Sequence, residues 1–235
     1  MKTVKISSFI ELHEAMKAHL LPSYWLFRGQ EEESWDLVPK AKREPYIHRD
    51  DFVQFSLWKR HAIEYVDTPP DNDWQWLALA QHHGLATRLL DWTANPLVAA
   101  YFACQNELSD GAIYAYLGGK YLHECSFNTS SPWKVEEPVI FHPHIKSRRV
   151  SNQSGSFTIS AHPDMCFSRQ IRDNEKMVKI IIGKECKKEL VFELSLYGVN
   201  CKMIYPDLDG LSKHSNWQVE YGTKYCNQDF LNNAD

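Results

Sequence analysis

The feature that most constrains the fold is a change of hydrophobic pattern along the 235-residue chain. In the first half, apolar residues recur at the spacing of one helix face, as at Phe9, Leu12 and Met16. In the second half, short apolar runs bounded by Gly, Pro, Ser or Asn predict strands, as at 112–117 and 177–182. Helices first and strands later favour an α+β domain whose sheet is assembled from non-adjacent pieces.

Caps and breakers locate the individual elements. We expect helices to begin at Ser8, at Asp51, at Asp71 or Asp73, at Asn95, and at Lys187. Gly84 and Gly198 stand where a left-handed residue commonly ends a helix. Strands are expected at 24–27, 112–117, 138–141, 156–160 and 177–182. The segment 85–92 is expected to be a connection between two helices.

Composition excludes several classes of protein. The 26 Lys and Arg against 30 Asp and Glu give a formal charge of −4, which argues against the broad positive field of a sequence-independent nucleic-acid binder. No run approaches the roughly 18 apolar residues of a membrane span, and charged residues occupy the N-terminal segment where a signal peptide is apolar. We therefore expect a cytoplasmic protein with no membrane partner. The absence of repeats and linkers favours a single domain over residues 1–235.

Metal binding is not expected from this sequence. The six cysteines include no C-x-x-C pair. The neighbouring His82 and His83 point about 100° apart on a helix, so they cannot share one metal ion as residues four apart can.

Three stretches concentrate polar groups beside aromatic residues, and the first is 27–30. Arg28 follows a buried apolar run, where a guanidinium needs an anionic ligand or an internal carboxylate. Gly29 permits close approach of a ligand or of another backbone segment.

The second stretch, 81–96, is the densest in polar and aromatic side chains. Asp91, Thr93 and Asn95 precede a buried helix, where hydroxyl, amide and free N–H groups form a natural seat for a phosphate or a ribose. Two simpler interpretations remain open: Arg88 pairs with Asp91, and Asn95 only caps the helix.

The third stretch, 148–158, places Arg148 and Arg149 before a glycine-containing turn into a strand. The two arginines suit a second phosphate or a nucleic-acid backbone, and Gln153 offers both a donor and an acceptor. The alternative is a solvated loop.

Taken together, these motifs resemble the FRG-domain family, which is named for the tripeptide found here at 27–29. The resemblance covers about residues 20–215. It rests on Gln30, Leu37, Pro39 and Arg43, on 81–85 and 87–93, on Asn95 and Pro96, on 101–103, on Arg149, Gln153, Gly155, Phe157 and Thr158, and on 205–211. At position 86 this chain has Ala where the family usually has Pro, a difference that affects the rigidity of a turn more than the chemistry.

FRG domains look like distant relatives of ADP-ribosyltransferases, and the resemblance therefore implies a central split sheet with N-terminal and flanking helices. The implied activity is toxin-like: transfer of ADP-ribose from NAD, as substrate, to a macromolecule in bacterial toxin–antitoxin or anti-phage defence. RNA and protein are both open as acceptors. An antitoxin or chaperone is a further partner to be expected.

The resemblance also implies a set of site residues. Arg28 would anchor NAD, and the segment 91–93 would support it. In the larger group, an acidic residue late in the chain holds the ribose 2′-hydroxyl. This sequence has no clear Glu for that role, and Gln153 is the residue at the corresponding position. The catalytic residues expected are Arg28, Asp91 and Gln153. The NAD-binding residues expected are Arg28, Gly29, Gln81, His82, His83, Arg88, Trp92, Thr93, Asn95 and Tyr101, with Trp92 or Tyr101 stacking on the nicotinamide. The acceptor is expected at Arg148 and Arg149.

Two other hypotheses remain open at this stage. In one, the protein is an NAD-independent ribonuclease or hydrolase in which His82 or His83 is the general base. In the other, it is a non-enzymatic module that binds a nucleotide or a partner.

Overall fold

The computed structural model describes residues 1–20, 24–143 and 155–222. These residues form one mixed sheet with α-helices packed on one face. The strands are β1 (Lys2–Ile6), β2 (Leu26–Gln30), β3 (Leu90–Thr93), β4 (Gly111–Leu117), β5 (Lys120–Tyr121), β6 (Val139–Phe141), β7 (Gly155–Ile159) and β8 (Lys176–Ile182). The helices are α1 (Phe9–Leu20), α2 (Asp51–Ala62), α3 (Asp73–His82), α4 (Pro96–Ala103), α5 (Lys187–Leu196), α6 (Cys201–Ile204) and α7 (Leu208–Trp217). This architecture confirms the α+β expectation.

The strands are arranged in the order β1-β8-β4-β2-β3-β7-β6-β5. The β1–β8 and β5–β6 pairs are parallel, and the other neighbours are antiparallel. Strand β4 pairs along its whole length with β8, whereas β2 and β3 pair only at Phe27 and Thr93. The weakest joint of the sheet therefore lies between β2 and β3.

Helices cover one face of the sheet on both sides of this joint. Helices α1, α4 and α5 pack on β2, β4 and β8 around a core that includes Phe27, Ile113 and Ile180. Helices α2 and α3 pack on β6 and β7 around a second core that includes Trp74 and Phe141. The opposite face of the sheet carries a third cluster of buried apolar and aromatic side chains.

Helix α4 lies directly on β2 because β2 has a glycine at the crossing. A Cβ atom added to Gly29 would lie 2.0 Å from the carbonyl oxygen of Ala99 and 2.8 Å from the amide nitrogen of Ala103. The backbone segment that approaches Gly29 closely is therefore helix α4.

Lys187, the first residue of α5, is wholly buried. Its ammonium donates to the carbonyl oxygens of Glu31, at 2.8 Å, and Asn106, at 2.6 Å. Burial lowers the pKa of Lys187. This side chain ties α5 to the end of β2 and to the turn after α4.

Most of the predicted caps and stops are confirmed. Asn95 caps α4 with Pro96 in the first turn, and Gly84 and Gly198 have φ of +90° and +80°. Two caps differ from expectation: Asp50, not Asp51, accepts from the first amides of α2, and Asn72 caps α3.

The expected connection at 85–92 was partly wrong, because β3 begins at Leu90 and pairs with β7 at four positions. Within the described residues, no helix combines the length and apolar character needed to cross a bilayer.

Candidate functional site

A cleft of about 270 Å³, the first chamber, opens beside the joint between β2 and β3. Residues from β2, β3, the end of α3, α4 and the segment 40–43 line it. Gln81, His82 and Leu85 belong to this chamber alone.

A second chamber, of about 430 Å³, adjoins the first. The two chambers share Arg28, Gly29, Arg43, Asp91 and Phe102. The second chamber adds Gln30, Glu31, Trp35, Gln105 and Tyr205. Two hollows thus meet at a junction that carries two arginines and one aspartate.

Arg28 and Asp91 form an ion pair at this junction. The Arg28 Nη1 atom donates to the backbone oxygen of Asp91 at 2.9 Å and to its carboxylate Oδ1. The Arg28 side chain is 11% exposed, whereas the Asp91 side chain is 61% exposed. Desolvation by the protein atoms around the cleft tends to raise the pKa of Asp91, but the charge and hydrogen bond of Arg28 outweigh it, so the pKa is lowered. Asp91 is therefore an ionised carboxylate open to a ligand.

Gln81 donates to the same carboxylate oxygen as Arg28 does. Its amide nitrogen donates to Asp91 Oδ1 at 3.3 Å, while its amide oxygen accepts from the hydroxyl of Thr87. Thr87 is buried, so it fixes which end of the Gln81 amide faces Asp91. Sequence reasoning missed this positioning role of Thr87.

Arg43 brings a second guanidinium to the junction, within 6.0 Å of the Trp35 ring centroid. Burial, followed by the charge of Arg28, lowers the pKa of Arg43. The Nε atoms of Arg28 and Arg43 are both buried and have no partner among the described residues. With Lys40 in the first chamber and Glu31 in the second, the two chambers are lined by three cationic side chains and two carboxylates. The excess of positive charge lies at the junction, where two arginines meet one aspartate, and it favours an anionic ligand there.

Arg43 is one of the residues on which the family resemblance rests, and it ends a short basic run, 40–43, that begins at Lys40. No local pattern places either residue at the cleft, because their approach to Arg28 depends on how the chain returns across the sheet.

The structure brings seven of the expected NAD-site and catalytic residues together at the cleft. They are Arg28, Gly29, Gln81, His82, Asp91, Trp92 and Thr93. His83, Arg88, Asn95 and Tyr101 are not among its described lining residues. Arg148, Arg149 and Gln153 lie outside the described residues, so their expected roles stay predictions.

Trp92 does not present its ring as expected. Its indole is 2% exposed, donates to Thr158 Oγ1 at 2.9 Å and packs against Tyr116 and Phe167 in the cluster on the opposite face. Alternation along β3 explains this, since Asp91 and Trp92 point to opposite faces of a strand. Tyr101 is likewise buried, in the core beneath α4. Neither ring is therefore available for stacking in the cleft.

Arg88 pairs with Asp51 and not with Asp91. Its Nε lies 2.6 Å from Asp51 Oδ2 and its Nη2 lies 3.1 Å from Asp51 Oδ1, while Lys42 Nζ lies 2.7 Å from Oδ1. Burial tends to raise the pKa of Asp51, but the hydrogen bonds from Arg88 and Lys42 lower it overall. This bidentate pair joins the start of α2 to the segment that leads into β3.

The remaining polar residues of the second stretch have local structural contacts. Asn95 Oδ1 accepts from the amide of Leu97 at 2.9 Å, and Thr93 Oγ1 accepts from the amide of Asn95 at 3.0 Å. His83 is exposed at the end of α3, with its ring 5.0 Å from that of His82. In the described part of the chain, no group of three or more His, Cys, Asp or Glu side chains is arranged to hold a metal ion.

These observations define the protein as an α+β domain with a two-chambered, cationic cleft. A family model described as the FRG domain matches residues 23–111, which confirms the resemblance over that part of the chain. This FRG-domain segment supplies most of the residues at the cleft, whereas Gly155, Phe157 and Tyr205 come from beyond it. No curated protein and no solved structure matches the chain.

Proposed function

We propose that the protein is a mono-ADP-ribosyltransferase that transfers ADP-ribose from NAD to a macromolecule. The observation that carries the proposal is the meeting of two chambers at Arg28, Arg43 and Asp91. A dinucleotide has the matching shape and charge, since two nucleoside halves flank an anionic pyrophosphate. Arginine guanidinium groups suit phosphate because their planar donors bind two oxygens at once.

Arg28 and Arg43 would bind the pyrophosphate. Each guanidinium retains an Nε–H group without a partner among the described residues, and both side chains reach the junction. Lys40 would add positive charge on the side of the first chamber. A phosphate that enters the junction therefore satisfies buried donors as well as balancing charge.

Asp91 would act on the ribose beside the bond that breaks. Cleavage of the bond between ribose C1′ and nicotinamide develops positive charge on the sugar, and a nearby carboxylate stabilises that charge. The hydrogen bonds from Arg28 and Gln81 hold Asp91 ionised and oriented for this role. The nicotinamide leaves as a neutral molecule, and the acceptor forms the new bond to C1′ and loses a proton.

Gln153 would fix the ribose 2′-hydroxyl, and Arg148 and Arg149 would meet the acceptor. All three residues lie outside the described part of the chain. Their assignment rests on the family resemblance alone. We further propose a toxin-like role in bacterial defence in the cytoplasm, with RNA or protein as the acceptor and an antitoxin or chaperone as the controlling partner.

The proposal is tested by incubating the protein with NAD labelled in the ADP-ribose part, together with RNA, DNA or cell lysate. Wild type is expected to place the label on one class of macromolecule, and Arg28→Ala and Asp91→Asn are expected to lose most of that transfer. Arg60→Ala and Asp67→Asn, at exposed positions, are the matched controls and should transfer normally. Because Asp91 is largely exposed, loss of Arg28 does not bury an unpaired charge, and the variant should fold.

The other outcomes assign a different function. RNA cleavage without NAD would indicate a hydrolase, with His82 as the first residue to test. A rise in melting temperature with NAD, but no labelled product, would indicate a binding module.

A further inference from the structure

We propose that the second chamber binds a flat heterocyclic ring that carries an exocyclic amino or amide N–H₂ group. In this site, the side-chain oxygen of Gln30 accepts a hydrogen bond from the ring substituent, and Trp35 provides the stacking surface. The inference rests on the proposed function, because it specifies the chemical group by which the second chamber recognises one ring of the dinucleotide.

Gln30 has an unused acceptor at the wall of this chamber. The residue ends β2 and is 3% exposed. Its amide nitrogen lies 3.4 Å from the backbone oxygen of Asp36, but its Oε1 is buried with no partner among the described residues. Because an unpaired buried acceptor destabilises the free protein, a donor supplied by a ligand would be favoured there.

Trp35 has the exposure and the support that a stacking platform needs. Trp35 is 37% exposed, and its backbone oxygen accepts a hydrogen bond from the hydroxyl of Tyr114 at 3.4 Å. The guanidinium of Arg43 lies over the same ring, so a cation and an aromatic face stand together. This combination is typical of sites that hold nucleobases.

The size of the chamber and its link to the junction fit a ring attached to a phosphate. Its volume of about 430 Å³ accommodates one ring with its ribose. Arg28 and Arg43 belong to both chambers, so a ring in the second chamber remains connected to a phosphate at the junction.

Two parts of NAD carry the required group: the adenine 6-amino group and the carboxamide of nicotinamide. Two analogues distinguish them. Nicotinamide hypoxanthine dinucleotide replaces the adenine amino group with an oxygen, and nicotinic acid adenine dinucleotide replaces the carboxamide with a carboxylate. In either case the donor that faces Gln30 Oε1 is lost, and an acceptor faces an acceptor.

The experiment measures the dissociation constants of NAD and of both analogues by calorimetry on the whole chain. Wild type should bind one of the two analogues about tenfold or more weakly than NAD, and that analogue identifies the ring in the second chamber. Gln30→Met should reduce this ratio to near one. General damage to the fold would weaken all three ligands by the same factor and leave the ratio unchanged, which would contradict the role of Gln30.

Trp35 provides a second variant, since it is partly exposed and its loss need not unfold the chain. Trp35→Ala should weaken NAD binding about tenfold or more, while Trp35→Phe should keep most of it. Equal binding of NAD and both analogues by wild type, or unchanged NAD binding by Trp35→Ala, would overturn the inference and leave the proposed function standing. Absence of NAD binding by wild type would overturn both.

Discussion

Asp51 and Asp91 both pair with arginine, yet their surroundings give them different roles. The Asp51 side chain is 5% exposed and contacts Arg88 and Lys42, whereas the Asp91 side chain is 61% exposed at the cleft. A buried carboxylate with two cationic partners stabilises the native structure and has no free surface for a ligand. An exposed carboxylate held by one arginine keeps such a surface.

Replacement of Asp51 by Asn should destabilise the protein by about 3 kcal/mol at neutral pH, because Arg88 and Lys42 would lose their shared buried partner. Urea denaturation at pH 7 measures the change, with Asp67→Asn as an exposed control. The pKa of Asp51 is lowered in the folded protein, so its contribution is complete above the ordinary pKa of aspartate. The difference between wild type and variant should therefore shrink as the pH falls through that lowered pKa. A difference independent of pH would contradict this account.

Residue identities alone do not decide these pairings. Arg88 stands three positions before Asp91 in sequence, which made that pair a reasonable alternative. Arg28, the actual partner, is 63 residues away and approaches only because β2 and β3 are neighbours in the sheet. Local sequence could identify the charged residues that matter, but not which of them meet.

At the scale of elements, the contact between α4 and β2 fixes one wall of the cleft. Gly29 allows the backbone of α4 to lie against the strand, and Phe102 of α4 lines both chambers. The same contact positions Arg28, the residue before Gly29.

Two glycine substitutions separate this packing role from a conformational one. Gly29→Ala should destabilise the protein by about 3 kcal/mol, because the added Cβ would lie 2.0 Å from the Ala99 carbonyl oxygen. Gly84→Ala meets no atom within 4 Å and should cost only about 1 kcal/mol, since its φ is +90°. Thermal and urea unfolding of the two variants compare the effects. Equal losses would mean that α4 can move away from β2.

The elements that sequence could predict are those with local determinants. The α4 cap and the glycine that ends α3 were predictable because their hydrogen bonds join residues close in sequence. The sequence did not predict β3, because this strand is only four residues long and its conformation depends on pairing with β7. The expectation that the Trp92 ring faces the cleft was wrong for the same reason, since the alternation of side chains along β3 sets its direction.

At the scale of the whole molecule, the segment that matches the FRG domain is not a structural unit. It ends at residue 111, where β4 begins, although β4 supplies five of the paired positions of β2. The neighbours β7 and β8 also lie beyond it. Within this segment, β2 would keep only the single pairing of Phe27 with Thr93.

A fragment of residues 23–111 should therefore be unfolded when expressed alone, because its strands lose their partners and their apolar faces. Circular dichroism and the dispersion of NMR amide signals measure this, with the 235-residue chain as the control. A cooperative unfolding transition of the fragment would show that the later strands are dispensable.

The buried ammonium of Lys187 gives the C-terminal half a direct influence on the cleft. It anchors the backbone at Glu31, immediately after the Gln30 wall of the second chamber. A genetic selection for loss of the proposed activity should therefore recover substitutions at position 187, with a defect that arises from a displaced loop and not from altered chemistry. A survey of mutations confined to the Phe-Arg-Gly region would overlook this dependence.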